Sequence, residues 1–243
     1  YLVEVKIEDF NQNVTTLNLT IDGKKEPITG LRPVNKGTPL VAKRDNMYKT
    51  DNMTVYIPED TFFHDTFVDV KQKGDTLLVM APTQPLQKQY NIVFDASRYT
   101  QAQLPYVCIA SVKGKTPKKY YQYTYRKDNI LSAKVKTLGR FVLTTDTKAP
   151  EIKPLNITKT KNNVAKLDKL KFNITDDFSG IGSFSATLNG KWVLMEYEHK
   201  QKMLFFTLAD RYFTPEEDYT FTLTVTDKVG NESTFTIPLV YKP

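Results

Sequence analysis

Apolar and polar residues alternate through most of this chain, and one stretch of the alternation occurs twice. Tyr1 to Leu17 aligns without gaps on Tyr219 to Phe235, so that Val3, Val5 and Ile7 fall on Phe221, Leu223 and Val225. An Asp-x-x-x-Asn step follows in both copies (Asp9 and Asn13, Asp227 and Asn231), and alternation resumes with Leu17, Leu19 and Ile21 matched by Phe235, Ile237 and Leu239. A period of two sends every second side chain to one face, so each copy reads as a β-hairpin with one face buried. The second copy closes a module, whereas nothing stands before the first. Residues 1–22 are therefore expected to be the terminal hairpin of a truncated Ig-like domain.

Between the copies the pattern predicts short strands at Leu40–Lys43, Met53–Ile57, Thr66–Gln72, Tyr90–Asp95, Tyr106–Val112, Lys119–Tyr125, Ile130–Lys136 and Arg140–Thr144. Short strands separated by turn signals point to a sandwich or barrel. The last stretch predicts an immunoglobulin-like sandwich with strands at Ile152–Ile157, Leu170–Thr175, Gly182–Leu188, Trp192–Glu196, Met203–Leu208, Tyr219–Thr226 and Ser233–Tyr241. Asn189-Gly190 joins the third of these to the fourth, and both residues accept the positive φ of a type I′ turn. Connections rich in Gly, Pro and charge lie at Asp22–Pro33 and Asp146–Pro150. The expected organisation is a hairpin over 1–22, a β-module with its leading linker over 23–147 and an Ig-like sandwich over 148–243.

Composition supports an all-β chain of tandem sandwiches. There are 14 Tyr and 14 Phe in 243 residues, and no long run at helical spacing. A module of about 100 residues buries only about 60–65 % of its unfolded surface, enough for one core but not for a large catalytic cavity. The single cysteine, Cys108, excludes an internal disulfide, and its apolar surroundings predict a buried, unreactive thiol. No run approaches the length of a membrane span. The net charge is +7, and 149–243 is balanced, so the excess lies in 1–148, with nine basic residues between Lys113 and Arg140.

Three segments carry a family resemblance: Val55–Phe63, Leu138–Pro150, and Asp176-Asp-Phe-Ser-Gly-Ile181 with Thr187–Tyr197, Ala209–Tyr212 and Val225–Asn231. Together they resemble the C-terminal half of the LytM/lysostaphin-type peptidoglycan endopeptidases of Bacteroidetes. In that family a zinc peptidase domain is followed by Ig-like, ZU5-like and Ig-like modules. The resemblance implies a ZU5-like middle module, a location in the cell envelope (periplasmic or at the outer surface), and an upstream peptidase domain as partner. It implies zinc only in that upstream domain. The family's zinc is held by His-x-x-x-Asp and His-x-His pairs, and this chain has only His64 and His199, neither in such a motif. No catalytic residue transfers, and the chain is expected to be a non-catalytic accessory region without a cofactor. The alternative is a free-standing envelope adhesion or glycan-binding protein.

Two further constellations offer chemistry. Lys118, Lys119, Tyr121, Tyr123, Tyr125, Arg126 and Lys127 interleave cations with tyrosines, the mix that binds glycans or an anionic envelope, and the exposed tryptophan of a sugar platform would be Trp192. On one continuous strand Tyr121, Tyr123 and Tyr125 would instead share a face as half of a core, leaving a solvated basic edge. Nucleic acid is not expected as a partner. Asp176, Asp177, Asp227 and Asn231 lie on loops that an Ig-like order brings to one end of the sandwich, beside Asp146. Their oxygens suit calcium. Turn chemistry also uses these residue types, and Lys148 and Lys228 stand near enough in sequence to balance the charge, so clustering without a metal is expected.

Overall fold

The computed structural model describes residues 1–24, 37–81, 85–158, 160, 162–208, 212–215 and 217–242. Most of the expected linker at Asp22–Pro33 and Ala209 to Arg211 of a family-like segment lie outside the described residues. The chain divides into two compact units, Tyr1–Asn35 and Lys36–Pro243.

The first unit is the expected hairpin. Strands β1 (Leu2–Glu8) and β2 (Val14–Thr20) pair antiparallel, with Val3 opposite Leu19 and Val5 opposite Leu17. Asp9 builds the turn: its Oδ1 accepts the amides of Asn11 and Asn13, both at 2.9 Å, and its Oδ2 accepts the side-chain amide of Asn13 at 2.8 Å. Val5, Ile7, Leu17 and Leu19 are exposed.

The second unit holds two sandwiches. In the first, β3 (Thr38–Leu40), β4 (Asn46–Lys49), β5 (Met53–Ile57), β6 (Thr66–Lys73), β7 (Thr76–Met80), β8 (Tyr90–Asp95), β9 (Val107–Lys113), β10 (Lys118–Gln122), β11 (Tyr125–Lys127), β12 (Ile130–Val135) and β13 (Gly139–Thr145) form two sheets. One runs β10-β9-β13-β7-β6-β3 and the other β11-β12-β8-β5-β4. Alternation places Val55, Ile57, Tyr90, Ile92, Phe94, Leu77, Ile109 and Phe141 in the space between them, all at most 1 % exposed. Burial of the Tyr90 ring pushes its phenol pKa up, and its hydroxyl donates to the Thr137 carbonyl at 2.9 Å.

The second sandwich contains β14 (Glu151–Pro154), β15 (Asn162–Asn163), β16 (Lys169–Thr175), β17 (Ile181–Leu188), β18 (Lys191–Val193), β19 (Glu196–Glu198), β20 (Met203–Thr207), β21 (Asp218–Asp227) and β22 (Glu232–Val240). Its sheets run β14-β16-β20-β19 and β15-β22-β21-β17-β18. Phe172, Phe206 and Phe221 stack at the centre, with centroids 5.6 and 5.8 Å from Phe221. Each such ring contributes about 1.5–3 kcal/mol by leaving water. The β17–β18 turn is formed by Asn189 (φ 48°) and Gly190 (φ 76°), as the Asn-Gly pair requires. The architecture is all-β, in tandem sandwiches.

Two expectations change. The Lys119–Tyr125 strand is two strands, β10 in one sheet and β11 in the other. The chain crosses between sheets at Thr124, whose hydroxyl accepts the Ile109 amide at 2.9 Å and donates to the Gln122 carbonyl at 2.8 Å. The tyrosines therefore form no core row, and Tyr123 and Tyr125 are exposed. Strands β4, β7 and β15 lie outside the expected strands, and the expected Trp192–Glu196 is divided between β18 and β19; β4, β15, β18 and β19 are each only two to four residues long.

Candidate functional site

The densest buried polar chemistry lies where the two sandwiches of the second unit meet. Three segments converge there: Asp146 just beyond β13, the loop 176–180 between β16 and β17, and the turn 227–231 between β21 and β22. The loop and the turn are brought together by the β17–β21 ladder, which pairs Ile181 with Asp227 across a bulge at Gly182. A Cβ on Gly182 would stand 2.5 Å from the Asp227 carbonyl oxygen, so glycine alone permits this approach.

Each carboxylate organises its own segment. Asp227 Oδ1 accepts the amides of Val229, Gly230 and Asn231 at 2.7–2.9 Å, and its Oδ2 accepts the Asn231 side-chain amide at 2.7 Å. This is the turn of Asp9 and Asn13, now buried. Asp176 Oδ1 accepts the amides of Phe178 and Gly180 at 3.0 and 2.5 Å. Asp146 ties the segments together, with Oδ1 accepting the Lys148 amide at 3.3 Å, Oδ2 the Ser179 amide at 3.1 Å, and its main-chain oxygen the Asn231 Nδ2 at 3.0 Å. Its own amide donates to Tyr106 of the first sandwich at 2.9 Å. Asp146 and Asp227 are each 4 % exposed. One oxygen from each of Asp146, Asp176 and Asp227 lies within 4.8 Å of the other two.

Two lysines stand at the edge of this trio without an ion pair to it among the described residues. Lys148 Nζ pairs with the exposed Asp177 at 2.7 Å, which holds the ammonium pKa above its ordinary value. Lys228 Nζ lies 5.7 Å from the centre of the Tyr121 ring. Of the residues that the sequence points to, the structure brings Asp176, Asp227 and Asn231 together around Asp146, while Asp177 is exposed and paired with Lys148. The Ig-like order sets Asp146 beside both turns, and what it does not show is that the Asp146 carboxylate faces inward.

The basic and aromatic candidates disperse. Tyr121 packs edge-on against Phe178 of the second sandwich at 6.4 Å, and burial raises its phenol pKa. Arg126 donates to the carbonyls of Pro105 and Val107 at 3.2 and 2.7 Å. Lys119 donates to the Thr144 hydroxyl at 2.9 Å, and Lys118 lies 5.6 Å from the Tyr120 ring. Tyr123 and Tyr125 meet edge-to-face at 5.0 Å on the surface, and Lys127 is exposed. Trp192 is 66 % exposed on β18, with Leu194 exposed beside it. His64 is exposed, and His199 packs at 4.7 Å on Tyr197. Among the described residues neither histidine belongs to a group of metal-binding geometry, so zinc has no fitting ligand set there. Cys108 is buried, and desolvation pushes its thiol pKa up to about 12.

Comparison with solved structures gives distant likenesses. An endo-β-1,4-mannanase from Thermotoga petrophila is 9 % identical with a TM-score of 0.32, over 40 % of this chain and 21 % of that one. The extracellular domain of a hybrid two-component system from B. thetaiotaomicron is 9 % identical with a TM-score of 0.30, over 100 % of this chain and 44 % of that one. A chain described as membrane anchored, from Corynebacterium diphtheriae, is 9 % identical with a TM-score of 0.25, over 99 % and 48 %. This chain thus spans less than half the length of each. No curated protein sequence matches it. No helix among the described residues is long and apolar enough to cross a membrane. Residues 38–146 match the family model described as Zu5-like domain, so the first sandwich of the second unit is a Zu5-like domain.

Proposed function

We propose that this chain is a non-catalytic accessory region of a cell-envelope peptidoglycan endopeptidase, a stiff arm that positions an upstream zinc peptidase domain. The observation that carries the stiff-arm reading is the joint: Asp146 is bonded at once to Tyr106 of the Zu5-like domain and to Ser179 and Asn231 of the last sandwich, all in a buried setting. A hinge between domains is ordinarily a solvated linker with few crossing contacts. The peptidase assignment rests on the sequence resemblance. Activating water at neutral pH needs a metal or a placed base, and among the described residues neither His64 nor His199 belongs to a metal-binding group. The test is the coding sequence upstream of Tyr1 together with peptidoglycan digestion. Ligand pairs His-x-x-x-Asp and His-x-His upstream, and no cross-link peptides released by this chain with added zinc, are expected; release above a metal-free control would overturn the reading.

A second reading, glycan or envelope binding by the same arm, is favoured by Trp192, whose ring is 66 % exposed beside Leu194 on an edge strand. Exposed tryptophan offers a flat apolar face for a sugar ring. Sedimentation of the chain with purified sacculi, lost in Trp192→Ala, is the expected result; equal sedimentation of both proteins would exclude this role for Trp192.

A further inference from the structure

We propose that Asp146, Asp176 and Asp227 form a divalent-cation site, suited to calcium, that clamps the joint between the two sandwiches. The proposal is independent of the peptidase reading. One carboxylate oxygen from each residue lies within 4.8 Å of the other two. Calcium–oxygen bonds run about 2.3–2.6 Å, and three oxygens no more than 4.8 Å apart lie within about 2.8 Å of a common centre, so a small closure brings all three onto a single ion. The three residues come from the inter-module segment, the β16–β17 loop and the β21–β22 turn, so one ion would tie both sandwiches together.

Two orphan oxygens at the cluster point to a ligand beyond the carboxylates themselves. Asp176 Oδ2 is shielded from solvent and has no hydrogen-bond donor, although Oδ1 of the same group takes two amides. Ser179 is 2 % exposed, and its hydroxyl oxygen is buried without a partner. The amide of that serine donates to Asp146 Oδ2, which places the residue itself against the same carboxylate. A buried polar atom left unpaired is costly, and a coordinated cation or its water shell would relieve that cost.

Charge argues the same way. Three carboxylates this close repel unless a cation compensates them, and among the described residues none of the three is in an ion pair. Lys148 pairs with Asp177 and acts on Asp176 only at longer range, and Lys228 Nζ lies by Gly180 and the face of Tyr121, so neither ammonium is bonded to the trio. Asn231 supplies one neutral amide, shared between Asp227 Oδ2 and the Asp146 carbonyl. The donors are all oxygen, which selects a hard ion over zinc or copper. A cleft of about 580 Å³, lined by Lys148, Glu151, Thr175, Asp176 and Asp177, reaches the cluster at Asp176. Calcium's flexible coordination suits ligands from three separate segments better than the strict octahedron of magnesium.

The experiment uses the whole chain, stripped with EDTA and titrated with CaCl2 or MgCl2 by calorimetry and thermal unfolding. One calcium per chain should bind, with Kd in the range of extracellular calcium modules, about 10⁻⁴–10⁻³ M. At about a hundredfold excess over Kd the melting temperature should rise by roughly 5–10 °C. Asp176→Asn keeps the shape and the Oδ1 acceptor but should lose the calcium response. Asp177→Asn, outside the cluster, should keep it. If EDTA-treated Asp176→Asn melts far below the untitrated wild type, calorimetry on the wild type alone decides. No calcium heat and no thermal shift at about 10 mM, well above that range, would overturn the proposal. So would an unchanged response in Asp176→Asn, or one lost equally in Asp177→Asn.

Discussion

Replacing Asn231 by alanine probes the joint at its narrowest point. The side chain is 8 % exposed and its single amide nitrogen serves two acceptors, Asp227 Oδ2 at 2.7 Å and the Asp146 carbonyl at 3.0 Å. The first is a bond to a carboxylate, for which about 1.5–3 kcal/mol is usual, and the second a neutral bond of about 1 kcal/mol. Neither acceptor gains water readily at this depth, so Asn231→Ala should cost about 2–4 kcal/mol in urea unfolding, measured in EDTA. Because the Asp146 bond crosses from one module to the next, trypsin cleavage after Lys148 should also accelerate. Asn13→Ala is the control: it removes the matching side chain of the exposed turn, where the amide meets only Asp9, and should leave both readouts of the larger unit unchanged. A loss below about 0.5 kcal/mol, the range of ordinary surface substitutions, would refute the reasoning.

Cys108, buried with its thiol pKa raised to about 12, should not react with a disulfide reagent at pH 8 until the chain is unfolded in urea; rapid titration of the native chain would contradict this. Gly182→Ala should destabilise the last sandwich by about 1–3 kcal/mol through the clash with the Asp227 carbonyl, read by urea unfolding. Phe221→Ala, which removes the middle ring of the stack, should cost about 3–5 kcal/mol by the same assay. Asp9 is held below the ordinary carboxylate pKa, first by the Asn13 side-chain amide. A depressed folded pKa stabilises above the unfolded value and is lost as pH falls through the folded value. The hairpin's Asp9–Asn13 turn should therefore open on acidification, seen as loss of the Asn13 side-chain amide signal by NMR, and an Asp9 titrating at or above its unfolded value would disprove it.

The pattern of alternation exposes most of the second unit because each strand has one face on a core. Val55 and Ile57, or Leu223 and Val225, could not be shifted by one residue without turning every apolar side chain to water. The turn of Asp227 and Asn231 was equally legible, since the spacing itself lets one carboxylate cap successive amides. The tyrosine-rich stretch was misread because alternation is blind to a strand that changes sheets, and Thr124 makes that change with one hydroxyl. At the joint, Asp176 and Asp227 were visible as turn residues. Asp146 is placed beside them by the Ig-like order, but its bonds to residues 33 and 85 positions away are marked by no local pattern. The assignment of Lys148 to Asp177 rather than to the buried trio likewise depends on three-dimensional placement.

The stiffness of residues 36–243 is tested most directly by amide ¹⁵N relaxation on the whole chain. If the Asp146 joint holds, amides of the Zu5-like domain, such as Val55 and Phe94, and of the last sandwich, such as Phe172 and Leu223, will report one shared rotational correlation time. Two distinct and shorter correlation times, one for each sandwich, would show that the domains tumble separately and would contradict a stiff arm.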